Sequence, residues 1–233
     1  MYYNLGMPVL DSIKITLSAE DVGRVLHIRP GSAESVRGLL DEAGPLLRPR
    51  AFFRDARIGR REDAALEIGG IRFHSRVLVH NLEGTDLVFP FVLTVGAELE
   101  KAASTQGDLL RQYYLEAIAD LTLSAAAECL KAHIQGLFGL KTLGMMDPGS
   151  LEDWPIAEQA PLFALLGDTE SRLGVRLTDS LLMMPRKSIS GILFPSEESF
   201  TSCRLCPRNS CQGRRMDYEP ELRRSFGLED ETL

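Results

Sequence analysis

The sequence has no long apolar run and no excess of basic residues. No stretch of its 233 residues approaches the roughly eighteen consecutive apolar residues of a membrane span. The formal net charge is −7, whereas a dedicated nucleic-acid-binding protein normally presents a basic surface. These two absences predict a protein whose partners include neither a membrane nor a nucleic acid.

Common catalytic loops and a secretion signal are missing as well. No Walker loop, GxGxxG or GxSxG pattern occurs, which excludes the usual nucleotide-binding loops and the hydrolase nucleophile elbow. The first residues, Met1-Tyr2-Tyr3-Asn4, do not have the pattern of a signal peptide. We therefore expect a cytoplasmic protein.

The chain does contain enough apolar residues for a sizeable core, at 44% of its composition. Alternating patterns predict strands at residues 13–17, 51–58, 64–68, 71–73, 87–96, 174–178, 181–184 and 189–194. Helical spacing predicts helices at residues 19–26, 33–43, 75–82, 97–105, 108–135 and 157–166. Strand blocks and helix blocks follow one another without βαβ regularity, which predicts an α+β fold with a largely antiparallel sheet.

The long helix at 108–135 has two rows of interest. Its predicted packing face consists of Leu110, Tyr114, Ala117, Leu121 and Ala125. A second row at i, i+4 spacing stacks carboxylates on one side and consists of Glu116, Asp120, Ser124 and Glu128. This row is either a solvated face or an acidic wall towards a cationic or hydroxyl-rich ligand.

Three of the four cysteines lie within nine residues, at Cys203, Cys206 and Cys211. Clustered thiols in a cytoplasmic protein are typical of metal ligands or redox groups. Thiolates favour zinc, copper(I) or iron–sulfur clusters, and Cys129 is a candidate fourth ligand. We expect a 4Fe–4S cluster here; structural zinc and plain reduced thiols are the alternatives.

A turn-rich loop at Asp147–Trp154 contains the only tryptophan of the chain. Gly149 lets the backbone approach a ligand, and Trp154 offers a flat apolar face. The alternative is a surface turn whose tryptophan fills the core. Lys187 and Ser188 lie on the polar face of a predicted strand, which lines a cleft or faces solvent.

Several motifs in this half of the chain occur together and in a particular order. They are Pro148-Gly149-Ser150-Leu151-x-Asp153-Trp154-Pro155-Ile156-x-Glu158-Gln159, Leu162-Phe163-x-Leu165-Leu166, Gly174-Val175-x-Leu177-Thr178-x-Ser180 and Met184-Pro185-x-Lys187-Ser188-x-Ser190-Gly191. Together they resemble the activation domain of cobalamin-dependent methionine synthase, and more closely its stand-alone bacterial relatives. The strong resemblance covers about residues 140–195.

The resemblance implies a C-shaped α+β domain on a twisted, largely antiparallel sheet flanked by helices. It also implies a domain that binds S-adenosylmethionine and presents its methyl group to a corrinoid, held by a partner, that oxidation has inactivated. A reduced electron donor supplies one electron. We therefore expect an activation or docking factor for a corrinoid-dependent methyltransferase or corrinoid protein, with the iron–sulfur cluster passing the electron.

The resemblance also suggests which residues bind the ligand. These candidates are Glu128, Met146, Pro148, Gly149, Ser150, Trp154, Lys187 and Ser188. The family's loop usually reads Arg-x-x-x-Gly-Tyr, and Met145 and Ser150 occupy the Arg and Tyr positions here, so we expect weak binding of S-adenosylmethionine. An exposed apolar rim for corrinoid docking is expected at Leu151, Trp154 and the strand at 185–190.

Two other functions remain open at this point. One is a binding module without a redox role, in which the cysteines hold zinc and the cleft docks a corrinoid protein. The other is a small-molecule methyltransferase that uses S-adenosylmethionine. We expect an N-terminal helical segment at 1–48, the activation-domain-like domain at 49–215, and a charged, frayed tail at 216–233.

Overall fold

The structure is a computed structural model that describes residues 9–11, 13–27, 33–105, 107–208, 210–211 and 214–228. Within these ranges the strands are β1 (Val9–Leu10), β2 (Arg50–Phe53), β3 (Ala56–Glu62), β4 (Ala65–Ile68), β5 (Ile71–His74), β6 (Leu87–Thr94), β7 (Leu143–Met146), β8 (Arg176–Leu177), β9 (Met183–Met184) and β10 (Ser188–Pro195). The α-helices are α1 (Ala19–Val25), α2 (Ala33–Ala43), α3 (Arg76–Asn81), α4 (Glu98–Ser104), α5 (Leu109–Phe138), α6 (Gln159–Leu166), α7 (Thr169–Leu173) and α8 (Pro220–Ser225).

The chain divides into two compact units that interleave along the sequence. Unit 1 contains Met1–Phe52, Val92–His133 and Asp168–Ile189, and unit 2 contains Phe53–Phe91, Ile134–Gly167 and Ser190–Leu233. Strands β2, β6 and β10 each run from one unit into the other. Neither unit coincides with a sequential segment, and the domain boundaries at 48 and 215 stay a prediction.

Strand pairing within the units confirms the α+β class. In unit 1, β1 pairs antiparallel with β2, and β8 pairs antiparallel with β9. In unit 2, β3 pairs antiparallel with β4 and β6, β4 with β5, and β7 with β10. Helices accompany the strands in both units, as expected for α+β.

The core of unit 2 is unusually rich in aromatic residues for a chain with 7% aromatic content. Its fully buried large side chains include Trp154, Phe53, Phe73, Phe89, Phe91 and Phe194. The Phe89 and Phe138 ring centroids are 4.6 Å apart, in the tilted arrangement that aromatic pairs prefer. This rigid core supports the loop that follows β7.

Local sequence signals account for several elements as predicted. Ser18 caps α1 by accepting the amide proton of Asp21 at 3.0 Å, and Ser75 caps α3 in the same way through Leu78. Gly69 and Gly70 form the β4–β5 turn with φ of +57° and +84°, values that glycine tolerates best. The predicted helices at 19–26 and 75–82 and the predicted strands at 64–68 and 71–73 are confirmed.

The predicted packing face of α5 is wrong by about one position. The residues that it buries include Leu115, Ile118, Ala119, Thr122, Ala126 and Leu130, whereas Leu110 is 56% exposed. Apolar residues occur around most of the circumference of this helix, so periodicity alone did not select one face.

Two further stretches, residues 136–146 and strand β6, also differ from the predictions. The helix predicted to end at residue 135 continues to Phe138, and Leu143–Met146, for which no strand was predicted, form the fully buried strand β7. A proline inside a strand ordinarily marks an edge strand or a bulge. Instead β6 is buried from Val88 to Thr94, and its residue pairs with β3 lie before the proline, at Leu87 and Val88.

The tail is not frayed over its described part. Phe226 stacks on His80 with ring centroids 4.0 Å apart, and Arg223 is 8% exposed and donates to the Leu205 carbonyl at 2.8 Å. One apolar side chain and one buried guanidinium hold α8 on unit 2. Because this segment is highly charged, its sequence did not predict these contacts.

Candidate functional site

The loop after β7 is folded back on itself. Gly149 donates its amide proton to the Trp154 carbonyl at 2.7 Å, and Ser150 Oγ donates to Asp147 Oδ2 at 3.1 Å. Gly149 has a φ of +86°, and a Cβ there would lie 3.0 Å from Ile156 Cδ1. The positive φ favours glycine at this position, and a larger residue would also require Ile156 to shift slightly.

Asp153 fastens this loop to the N-terminus of α3. Its Oδ2 accepts the Ser75 hydroxyl at 2.6 Å and the Val77 amide at 2.9 Å. The amides at a helix start have no partner within the helix, and a carboxylate is favoured there by the helix dipole. The Asp position of the Asp-Trp-Pro motif thus has a structural role.

Two further polar residues of the same motif hold the start of α6. Glu158 accepts the His74 amide at 2.9 Å, and its other oxygen lies 3.4 Å from His74 Nδ1. Gln159 is buried and donates from Nε2 to Ser190 Oγ at 3.0 Å. The motif therefore ties together strands β5 and β10 and the loop within unit 2.

The prediction that Leu151 and Trp154 form part of an exposed apolar rim is wrong. Trp154 is 0% exposed and Leu151 is 7% exposed, so neither presents a surface to a partner. Trp154 fills the core of unit 2, the alternative reading from the sequence, and its Nε1 is buried without a hydrogen-bond partner. The large apolar side chain that this segment exposes is Ile156, at 46%.

The other candidates on this loop differ in accessibility. Gly149 and Ser150 are exposed, whereas Pro148 and Met146 are buried. Met146 Sδ accepts from Asn81 Nδ2 at 3.1 Å, and a Cβ on Gly191 would lie 2.4 Å from the Met146 carbonyl oxygen. Met146 thus packs between neighbouring elements, whereas Gly149 and Ser150 are accessible to a ligand.

Position 145, where the family pattern has arginine, lies inside the sheet. Met145 pairs with Leu193 of β10 and forms a bridge to Thr201, and it is 2% exposed. The exposed Arg215 brings Nη1 to 3.9 Å from Met145 Sδ. A guanidinium from the C-terminal part of the chain therefore lies beside the position where the arginine is missing.

Lys187 and Ser188 lie in unit 1 and are engaged with protein groups. Lys187 Nζ lies 2.8 Å from both Asp120 carboxylate oxygens. Ser188 Oγ lies 2.9 Å from Thr94 Oγ1 and donates to the Pro185 carbonyl at 2.7 Å. Ser188 is buried, and Lys187 partly neutralises the carboxylate row of α5.

The same row receives a second cation that the sequence reasoning missed. Arg186 pairs with Glu100, which raises the pKa of its guanidinium above the ordinary value, and lies 3.7 Å from Glu116. The feature of the sequence that could have indicated Arg186 is its position between Pro185 and Lys187. Glu128 is exposed and pairs with Lys131 at 2.9 Å. Within unit 1 the row thus faces cations of its own chain.

The cysteine segment is organised by an arginine rather than by a metal arrangement. Arg214 donates to the carbonyls of Cys203 and Cys206 at 3.3 Å each, to that of Met216 at 3.3 Å, and to that of Arg208. The Arg215 amide lies 3.5 Å from Cys203 Sγ. All four cysteines are free thiols, with Cys129 in unit 1 and the others in unit 2.

Across the residues that the structure describes, no group of three or more His, Cys, Asp or Glu side chains is placed so that it can hold a metal ion. The predicted iron–sulfur site at Cys203, Cys206 and Cys211 is therefore not supported, and neither is the alternative zinc site. Cys203 and Cys206 are half-buried in and after a 3-10 turn, whereas Cys211 is exposed. The three cysteines are close in sequence, but the structure does not bring them into one coordination geometry.

None of the described helices has the length and apolar character needed to cross a membrane. No curated protein matches the chain in sequence. Residues 152–204 match the family model of the vitamin B12 dependent methionine synthase activation domain. The match begins inside the folded loop and ends just after Cys203, so Cys206 and Cys211 lie beyond it.

A solved structure shows the same fold over most of the chain. It is the crystal structure of the MetH reactivation domain bound to AdoHcy, with 19% sequence identity and a TM-score of 0.61. The match covers 86% of this chain and 82% of that chain. These findings confirm the resemblance: the chain has the fold of the methionine synthase activation domain, and over residues 152–204 it also has that family's sequence pattern.

Proposed function

We propose that the chain is an activation factor for a corrinoid protein, and that it brings S-adenosylmethionine to an oxidised corrinoid held by that partner. The observation that carries this proposal is the family match over residues 152–204, which contains the Asp-Trp-Pro motif and the Lys187–Ser190 stretch. The shared fold over 86% of the chain supports it.

S-adenosylmethionine would supply the methyl group, and the partner's corrinoid would supply the cobalt that accepts it. Once a separate donor had given the cobalt one electron, the carbon–sulfur bond would break as the carbon–cobalt bond formed, leaving S-adenosylhomocysteine. Such a reaction asks the protein to bind, orient and exclude water. The loop of unit 2 suits this role because its conformation is fixed. Asp153 holds it to α3, and Trp154 anchors it in the core, while Gly149 and Ser150 stay exposed.

The cation beside Met145 gives the proposal a specific element. S-adenosylmethionine carries a carboxylate, for which a guanidinium is the favoured partner. We propose that Arg215 substitutes in part for the arginine that the family has at position 145. Because Arg215 is exposed and comes from a different segment, its contact should be weaker than that of an arginine held in the sheet.

The predicted electron relay through the cysteines does not enter this proposal. The described thiols do not form a group that can hold a metal, so the electron is assigned to a separate donor. The docking surface also changes. With Trp154 and Leu151 buried, the exposed Ile156 and the Gly149–Ser150 turn are the parts of the loop that a corrinoid protein can touch.

Calorimetric titration with S-adenosylmethionine and S-adenosylhomocysteine tests the binding step. We expect both to bind, with dissociation constants no better than the high micromolar range. Each missing charge-assisted contact costs about 1.5–3 kcal/mol, which is tenfold or more in affinity. Arg215→Ala should weaken binding by a further factor of about three to ten.

Arg208→Ala is the matched control, because Arg208 has an exposed side chain in the same segment. Its affinity should stay within about twofold of the parent. Absence of any heat of binding at millimolar ligand would remove S-adenosylmethionine from the proposal. Low-micromolar binding that survives Arg215→Ala would show that other residues hold the carboxylate.

A further inference from the structure

A groove of about 600 Å³ lies on unit 1. Its lining consists of five consecutive residues, 13–17, together with Asp11, Leu40, Gly44, Leu47, Arg48, Pro49 and Thr122. This volume lies within the range of about 300–1,000 Å³ that is typical of ligand pockets. No function described so far uses it.

Residues 13–17 have the character of a strand, and beyond Ile13 no described residue pairs with it. Ile13, Ile15 and Leu17 are half-buried, whereas Lys14 and Thr16 are exposed, which is the two-residue period of a strand. The Ile13 amide donates to the Pro49 carbonyl at 3.1 Å, as a continuation of the β1–β2 pairing. From Lys14 to Leu17 the described structure contains no backbone hydrogen bond.

Residues 13–17 line the groove with their backbone as well as with their side chains. Alternate side chains of a strand point to opposite faces, so a groove lined by five consecutive residues also meets their backbone. The peptide N–H and C=O groups of residues 14–17 have no backbone partner among the described residues. Such an edge is a template for the addition of another strand.

The charges around the groove favour an acidic occupant. Among the described residues Lys14 and Arg48 form no ion pair, and the Arg48 guanidinium donates to the Leu47 carbonyl at 2.9 Å. The carboxylate of Asp11 is already held by Arg50 at 2.6 Å. The unneutralised charge of the lining is positive, although the whole chain carries a net charge of −7.

We propose that this groove binds an extended, acidic and partly apolar peptide segment of a partner protein, which adds a strand to residues 13–17. Its backbone pairs with the free edge, its apolar side chains contact Ile13, Ile15 and Leu17, and its carboxylates meet Lys14 and Arg48. Main-chain pairing gives affinity in this mode of recognition, and the alternate side chains give specificity. The site is independent of the corrinoid proposal and survives its failure.

The test uses the full chain and a blocked hexapeptide of alternating glutamate and valine as the probe. Titration is followed by amide NMR spectra and by hydrogen exchange of residues 14–17. We expect saturable shifts confined to the groove and at least tenfold slower exchange for two or more of these amides. The same peptide with lysine in place of glutamate should bind at least tenfold more weakly.

Two variants and one modified peptide separate the proposal from simple charge attraction. Lys14→Glu should weaken binding at least fivefold, whereas Lys101→Glu, an equal charge change at an exposed site outside the groove, should change it less than twofold. A glutamate–valine peptide with alternate backbone amides methylated should bind at least tenfold more weakly. Equal binding of the methylated peptide, equal loss in both variants, or unchanged exchange at residues 14–17 would each overturn the proposal.

Discussion

Replacing Asp153 by alanine should destabilise the protein far more than its half-buried position suggests. The Asp153 carboxylate accepts two hydrogen bonds, from the Ser75 hydroxyl at 2.6 Å and from the Val77 amide at 2.9 Å. Hydrogen bonds to a charged group contribute about 1.5–3 kcal/mol each. The Val77 side chain is 0% exposed and Ser75 is 3% exposed, so water cannot easily replace the lost acceptor.

We therefore expect Asp153→Ala to lower the free energy of unfolding by about 3–5 kcal/mol. A domain of ordinary stability, about 5–15 kcal/mol, should still fold at low temperature. Urea denaturation followed by fluorescence measures the change, because Trp154 is the only tryptophan and is fully buried. Circular dichroism should give the same midpoint if unfolding is two-state.

The neighbouring Glu152 supplies the control. It is exposed and has no partner in the described structure, so Glu152→Ala should stay within about 0.5 kcal/mol of the parent. A loss below about 1 kcal/mol in Asp153→Ala would show that the cap of α3 does not hold the loop. An equal loss in both variants would show that the effect comes from the loop sequence in general.

Three other outcomes follow from the same geometry. Trp154→Ala should cost about 3–5 kcal/mol of unfolding free energy, measured by circular dichroism, and an unchanged melting temperature would refute its core position. Hydrogen bonds from Arg204 lower the pKa of Glu219 below its ordinary value of 4.5, so the stability from this pair is present above that value and disappears as the pH falls through the lower, folded-state pKa. Glu219→Gln should therefore be less stable than the parent at neutral pH and equal to it in acid, and a difference that persists in acid would contradict this. Under reducing conditions the exposed thiols of Cys129 and Cys211 should react with a thiol reagent faster than the two half-buried thiols, and four equal rates would contradict the described burial.

Local rules in the sequence predicted the elements whose signals are local. The Ser18 and Ser75 caps and the Gly69-Gly70 turn depend on a few adjacent residues, and the helices and strands beside them were predicted. The α+β class followed from the order of strand and helix patterns. What these signals left open was the choice between faces and partners, which depends on residues distant in sequence.

The errors have this long-range origin. Trp154 was assigned to a docking rim because a cleft that receives a corrinoid needs exposed apolar residues, but Trp154 is fully buried, as are five phenylalanines from other segments of unit 2. The three clustered cysteines indicated a metal, but Arg214 collects the carbonyls around them instead. Residues 13–17 have the pattern of a strand, yet no described residue pairs with positions 14–17. Spacing shows which residues are available for a role, whereas tertiary packing decides which role they take.

The most direct test of the proposed function is transfer of a labelled methyl group. S-adenosylmethionine with a labelled methyl is incubated with free cob(II)alamin and titanium(III) citrate, which supplies the electron, with and without this chain. The family's activation domain, acting on the same corrinoid, is the positive control. We predict more label in the corrinoid with the chain than without it. One equivalent of S-adenosylhomocysteine should form per methyl group transferred, and the rate should be lower for Arg215→Ala. Label no higher than in the protein-free reaction, while the control domain transfers it, would contradict the account.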